Sequence, residues 1–583
     1  MTQLPRPEYP RPQFKREPWM NLNGKWTYVF DFGKSGRERD FQASTGFGEM
    51  PDGGEITVPF CPESALSGVG HKDFIEMMWY HREIKVPTDW AGKHVILHFG
   101  AVDYECEVFI DGKSVGRHWG GTVAFSFDVT DYVVFGETHD LVVYSRDETR
   151  SGEQPGGKQS PRYKSFGCHY TRTTGIWQTV WMEAVADVGL QDVRIVPDLD
   201  GGRFLVQPRF YALRAGLKFR ATLKDGDSIV IQVEQDAVDG VSLILPVTDP
   251  RPWGPGDPFL YDFVFEVVDG DSIVDTVESY AGLRKIHIER NRIFLNNEPI
   301  YLRLVLDQGF YPDGIWTAPS DEALRRDIEL SMQAGFNGAR LHQKVFEPRF
   351  HYWADRLGYL TWGESSSWGI DVTDPVSARN FLSEWREIVT RDYNHPSIIA
   401  WTPFNETRGG RGHPQHARLH VDAYDLTHDL DPTRPVNDAS GYVHVKTDIW
   451  TVHSYNQDPA SLRAQLAIDP DAGVWRNFPD EEVAYDGQPY VIDEFGGIKW
   501  IPREDLVFAE DSWGYGDDPT TLEEFYARLE GLVDAVLSHD HICGFCYTQL
   551  TDIEQEQNGI YNYDRTEKFD MARVAAILGK PRD

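Results

Sequence analysis

Apolar and polar residues alternate with a period of two through the first third of the chain, in VILHFG at 95–100, ECEVFIDGKSV at 105–115 and HDLVVYSRD at 139–147. Turn dipeptides such as Asp111-Gly112 separate these runs. Side chains two apart on a strand share a face, so each run buries one side and wets the other. The pattern predicts an antiparallel, jelly-roll-like β-sandwich over 1–186. A second all-β stretch, 187–284, carries DSIVIQVEQ and YDFVFEVVDG, divided by the Pro- and Gly-rich DPRPWGPGDP at 249–258. Its length suits an immunoglobulin-like sandwich.

Over 285–583 the period changes, because short apolar strands now alternate with helices in the manner of βα units. In DEALRRDIELSMQA, Ser320 is placed to cap the start, Asp321 and Glu322 suit the positive end of the helix dipole, and Gly335 ends the run. Leu324, Ile328 and Met332 are expected to line its buried face. Strands are expected in 301–308, 337–343, 359–364, 397–406, 435–440, 448–455, 489–496 and 543–552. Eight strands with intervening helices predict a (β/α)8 TIM barrel, whose chemistry sits at the carboxyl ends of its strands. The whole is a multidomain chain with its catalytic unit last.

The 583 residues include 18 Trp, 26 Tyr and 32 Phe and are 40% hydrophobic, enough apolar surface for several cores. A net charge of -35 repels phosphate backbones and anionic bilayers, which argues against nucleic acid and membranes as partners. The opening residues contain no apolar core of signal-peptide length, and no run approaches the roughly 18 apolar residues of a membrane span. Five cysteines, Cys61, Cys106, Cys168, Cys543 and Cys546, are too sparse for a disulfide scaffold. A cytoplasmic location is expected. Assembly as a homo-oligomer stays open.

Two carboxylates stand out by position. Glu406 closes the fourth strand in WTPFNE and Glu494 the seventh in VIDEFGG. Strands four and seven face one another across a barrel mouth. Cleavage of a glycosidic bond needs such a pair: one carboxyl protonated to assist the leaving oxygen, one ionised to attack or stabilise the anomeric carbon. A Glu at a strand end is otherwise an ordinary solvated or ion-paired group, but two at opposite strand ends are harder to dismiss.

Longer motifs carry a resemblance. WMNLNGKWTYVFD, VFIDGKSVGRHWGGTVAFSFDVT and TTGIWQTVWME resemble the sugar-binding-like domain of glycoside hydrolase family 2, the β-galactosidase, β-glucuronidase and β-mannosidase family. GARLHQK, YWADRLGYLTWGE and RDYNHPSIIAWTPFNE resemble segments of that family's barrel, the last being its acid/base signature. The resemblance covers nearly the whole chain. It implies that Glu406 is the general acid/base and Glu494 the nucleophile of a retaining reaction. It also implies that no cofactor is strictly required, although some relatives bind Mg2+ or Na+.

The neighbours have physical roles consistent with this. The Asn405 amide suits a sugar 2-hydroxyl, and Arg340 is placed to hold Glu494 ionised while a less solvated Glu406 keeps a raised pKa. Tyr455 resembles the family tyrosine that donates to the nucleophile. His342, Asp307, Glu364 and His453, also at strand ends, are assigned to substrate binding, and Trp362, Trp368, Trp401 and Tyr547 offer ring faces to a sugar. Cys543 and Cys546 are not a metal half-site, because residues three apart on a strand point to opposite faces. His539 and His541 precede the last strand, at the barrel's structural end. RGGRGHPQH at 408–416 suggests a mobile active-site loop.

These features predict an exo-acting retaining glycosidase on an oligosaccharide or glycoside with a terminal β-linked sugar. It is expected to be β-galactosidase-like, with β-galactofuranosidase, α-L-arabinosidase and β-glucuronidase as alternatives. The glucuronidase Asn-x-Lys signature is missing from NGIYNYDRTEKF, which weakens that alternative, with Arg565 or Lys568 open as substitutes. A non-catalytic carbohydrate-binding protein is the alternative of another class.

Overall fold

A computed structural model describes residues 4–501 and 511–582. In the first unit a six-stranded antiparallel sheet, centred on Met77–Lys85 and Thr138–Arg146, faces a four-stranded one containing Val180–Val185 and His94–Phe99. Alternation places Trp26, Tyr80, Val108 and Val143 of one sheet against Leu97, Phe99 and Met182 of the other. In the second unit three strands, Leu190–Asp198, Arg203–Phe210 and Leu243–Pro246, oppose four, Ser228–Asp236, Leu217–Asp225, Tyr261–Asp269 and Ser272–Ala281. Phe204, Phe219, Phe263 and Phe265 fill the space between them.

The barrel strands are β1 (Leu302–Asp307), β2 (Gly338–Leu341), β3 (Leu360–Glu364), β4 (Ile398–Thr402), β5 (Ala439–Ser440), β6 (Trp450–Ser454), β7 (Tyr490–Gly496) and β8 (Ile542–Thr548). Seven form one parallel sheet in the order β4-β3-β2-β1-β8-β7-β6. The gap is bridged by β5, which pairs with Phe404–Asn405, the continuation of β4. All seven residues of β7 and of β8 are buried, as strands covered on both faces must be. The helices are α1 (Asp321–Gln333), α2 (Pro348–Leu357), α3 (Pro375–Asp392), α4 (Pro414–Leu430), α5 (Pro459–Leu466), α6 (Leu522–Leu537) and α7 (Met571–Leu578). No helix joins β5 to β6. There Asp438 accepts from His444 and from the Val445 and Lys446 amides, closing the connection as a turn.

Ser320 caps α1 through the Ala323 amide, and Leu324 and Ile328 are buried as expected. Met332 is not: it is 41% exposed, and Leu330 and Ser331 are the residues buried in that last turn. A hairpin, Ile286–Glu289 with Arg292–Leu295, places Ile286, Ile293 and Leu295 against Leu302 and Leu304 of β1.

Two segments knit the units together. Arg6 reaches Glu347, the residue preceding α2, through bonds of 3.0 and 2.6 Å. Arg16 pairs with Glu183 of the first unit and Asp275 of the second. The long loop 147–174 leaves the first sandwich and lies over the barrel mouth. Its Gly156 and Gly157 amides donate to the Trp368 carbonyl, and its Tyr170 hydroxyl donates to Glu556 beyond β8.

Candidate active site

The carboxyl ends of the strands deliver a closed polar network. Arg340, fully buried on β2, donates through Nε to Glu364 (2.7 Å) and through Nη2 to Glu494 (2.8 Å) and to Asn405 Oδ1 (3.0 Å). His453 on β6 places Nδ1 2.7 Å from Glu406 and 3.4 Å from Glu494, and Nε2 3.2 Å from Asp493. The Tyr455 hydroxyl donates to Glu494 at 2.5 Å and lies 3.0 Å from Thr548 Oγ1. Its ring stacks on Tyr515, with centroids 3.5 Å apart and planes 4° from parallel.

Strict alternation would send Asp493 and Glu494 to opposite faces, yet both contact Arg340 and His453. Register shifts explain this. The pairing of β7 with β8 slips between Ile492 and Phe495, and that of β6 with β7 slips between Val452 and His453. Such bulges re-aim side chains beside functional sites. Glu406 itself has φ of 51°, a left-handed conformation that a non-glycine residue adopts at some cost and that is found chiefly where surroundings enforce it.

The electrostatics separate the two glutamates. Burial alone would push Glu494 up, but the charges of His453, Arg340 and Lys158 and the Tyr455 bond outweigh it and hold the carboxyl well below its ordinary range. For His453 burial opposes the charge, but Glu494 and Asp493 overcome it and raise the imidazole to about 10. Glu494 is therefore ionised and His453 protonated at neutral pH. Glu406, His453 and Glu494 each offer one atom within 4.8 Å of the others, close enough to hold a metal ion.

The expectation that Glu406 is the less solvated glutamate is overturned: its side chain is 17% exposed against 7% for Glu494. Glu406 sits on the strand extension at the rim, whereas Glu494 lies within β7. Asn405 has Oδ1 held by Arg340 and a buried Nδ2 that has no partner among the described residues. Trp368 is half-buried and donates its indole N–H to the Asn405 carbonyl at 3.1 Å. His342 is neutral, pushed well down by burial and by Lys158 and Arg340, with Nδ1 between Arg340 and Glu364.

Five assignments need correction. Glu364, with no exposed side-chain surface, lies behind Arg340 and His342 and orients them rather than lining the cavity. Burial pushes its carboxyl up to about 7 against the pull of Arg340. Trp401 is fully buried between Trp385 and the core of α3 and α4, its N–H on Asp431. Tyr547 and Trp362 are likewise core residues, packed respectively against Phe495 and within the barrel floor. Asp307 is buried at the end of β1, where Oδ1 accepts the Gly309 amide at 2.9 Å. Arg565 and Lys568 are also unavailable to substrate, being buried in pairs with Asp327 and Asp552. Within 408–416, Arg408 and Arg411 pair with Glu481, which anchors that loop.

No sequence pattern marks Lys158. It comes from loop 147–174 and is mostly buried; its carbonyl accepts the Tyr170 amide, and its ammonium makes no hydrogen bond or ion pair among the described residues. Its ammonium lies 5.0 Å from the Trp368 ring centroid. Burial opposes its charge, but Cys168, Glu556, Glu494 and Glu406 outweigh that and raise its pKa.

A barrel with two close glutamates at its mouth, fronted by two β-sandwiches, defines a glycosidase. The family models agree domain by domain: the glycosyl hydrolases family 2 sugar-binding domain matches residues 70–149, the family 2 central domain 190–284 and the family 2 TIM barrel domain 286–497. The chain belongs to glycoside hydrolase family 2. It is similar to a β-galactosidase of Thermoanaerobacter pseudethanolicus, 22% identical, over 77% of this chain but only 59% of that one. It is also similar to a β-glucuronidase of Paenibacillus borealis, 22% identical over 96% of each chain. Among solved structures, a Ruminococcus gnavus β-glucuronidase in complex with D-glucuronic acid superposes with a TM-score of 0.80 at 20% identity, covering 98% of this chain and 100% of that one. At that identity the likeness concerns the fold.

Proposed function

We propose that the chain is a retaining exo-glycosidase in which Glu494 is the nucleophile and Glu406 the general acid/base. The observation that carries this is the spacing and environment of the pair. One oxygen of each lies within 4.8 Å of the other, near the about 5–5.5 Å separation of retaining pairs and short of the about 6.5–9.5 Å of inverting ones. Glu494, ionised by Arg340 and His453, attacks the anomeric carbon while Glu406 protonates the leaving oxygen. Water then attacks the glycosyl-enzyme as Glu406 takes back a proton. The free Asn405 amide donates to the 2-hydroxyl.

The sugar expected from the sequence is a β-galactoside. One observation favours a second reading, a β-glucuronide: Lys158 is an unpaired ammonium beside the catalytic pair, suited to a substrate carboxylate despite the missing Asn-x-Lys signature. The five unpaired cysteines suit a reducing compartment. Aryl release should be measured on β-D-galactopyranoside, β-D-galactofuranoside, β-D-glucuronide, β-D-mannoside and α-L-arabinoside, with Glu494→Gln alongside. One strong signal, lost in the variant, is expected. Turnover that survives Glu494→Gln would remove it as nucleophile, and no turnover on any substrate would favour a binding protein.

A further inference from the structure

A second cavity, of about 840 Å³, lies where the three units meet, between the first sandwich, the immunoglobulin-like domain and α3. It shares no residue with the active site and falls in the size range of small-molecule sites. Its charge is unbalanced. Every carboxylate on its wall is already paired: Glu8 and Glu347 with Arg6, Asp192 with Arg11, and Glu387 with His118. Three wall guanidiniums, on Arg194, Arg209 and Arg386, have no carboxylate partner among the described residues. Arg209 and Arg386 are exposed and Arg194 half-buried, so the cleft presents net positive charge in a chain whose total is -35.

Gln178 and Trp181 line the cavity but turn Nε2 and Nε1 into its wall, so the polar surface they offer is not those nitrogens. The Arg194 guanidinium is held in place, 3.9 Å above the Tyr393 ring. We propose that this cleft binds an anionic saccharide, its carboxylates or sulfates meeting Arg194, Arg209 and Arg386 and its hydroxyls the polar wall residues Gln178, Gln191 and Gln207. A bound chain would touch all three units at once.

Titration calorimetry on the full-length Glu494→Gln protein tests this, with a heparin-derived tetrasaccharide as probe and cellotetraose and sodium sulfate as comparisons. Saturable tetrasaccharide binding is expected, weakened at least about tenfold by adding Arg194→Ala and Arg386→Ala, and far stronger than for either comparison. Those two substitutions in the wild-type background should leave aryl-glycoside turnover unchanged, so this site and the catalytic assignment can fail separately. No saturable binding, binding indifferent to the arginines, or sulfate binding as tightly as the saccharide would each overturn the proposal.

Discussion

Glu494 depends on three separate donors, so removing each should have a graded effect. Tyr455→Phe deletes a 2.5 Å bond to the ionised carboxylate. Hydrogen bonds to charged groups are worth about 1.5–3 kcal/mol, so the acid limb of kcat/KM should move upward by about one pH unit or more. The sign follows from the loss of a group that stabilised the charged form. His453→Asn should shift that limb further in the same direction, and an unchanged pH profile in both variants would detach them from Glu494. Glu494→Ala should reduce turnover to background and be rescued by azide with inversion at the anomeric carbon. Glu406→Ala should slow poor leaving groups by about 10²–10⁴-fold and barely affect activated aryl glycosides. The positions of both glutamates at the barrel mouth were legible because each follows an apolar strand-like run, and Glu406 also ends a long motif. The misassigned aromatics were not: Trp401 and Tyr547 also lie at strand ends, and only the coordinates tell a ring in the mouth from one in the wall. The bulges that turn Asp493 and Glu494 to one side leave no trace in residue type.

At the scale of elements, the first sandwich completes the barrel's site through loop 147–174. The loop is tightly seated. Gly157 has φ of 57°, and a Cβ there would stand 2.3 Å from the Gln343 carbonyl. Gly157→Val should therefore displace the loop, lowering kcat/KM while the barrel stays folded by circular dichroism. Lys158→Met keeps the aliphatic stem over Trp368 and removes the charge. It should raise KM on an aryl β-glucuronide by about tenfold, the worth of a charge-assisted bond, and leave an aryl β-galactoside nearly untouched. Equal effects on both substrates would separate Lys158 from sugar selection. Strand positions in the barrel were readable because buried parallel strands are continuous apolar runs. The loop's role was not, since nothing local to GGKQSPRYK records that its partners lie some two hundred residues downstream.

Across the whole molecule, the junction under that loop is acidic and dry. Glu63 and Asp147 both accept from Thr174, and Asp103 accepts from Gln159. Burial pushes Glu63 up to about 7 and Asp147 up to about 6, from ordinary values of 4.5 and 3.8. The folded state thus holds protons that the unfolded chain releases, and stability is lost as pH rises from the ordinary value of each group to its raised one, from 4.5 to about 7 for Glu63 and from 3.8 to about 6 for Asp147. The loss is about 1.4 kcal/mol for each pH unit within each group's own interval. The net charge of -35 adds repulsion in the same direction. The melting temperature should be higher at pH 5 than at pH 8, and Glu63→Gln should flatten the difference. A melting temperature that climbs with pH would contradict this account.

The bond from Arg6 to Glu347 spans 341 residues of sequence, and it matters for how the protein is made. At about 5–20 residues per second, the ribosome delivers Glu347 roughly 17–70 s after Arg6. Through that interval the arm has no barrel to grip, although both sandwiches can already be closed. During synthesis the arm is therefore held first by the sandwiches, through Arg16 to Glu183 and Asp275, and only its Arg6 side chain waits for the barrel.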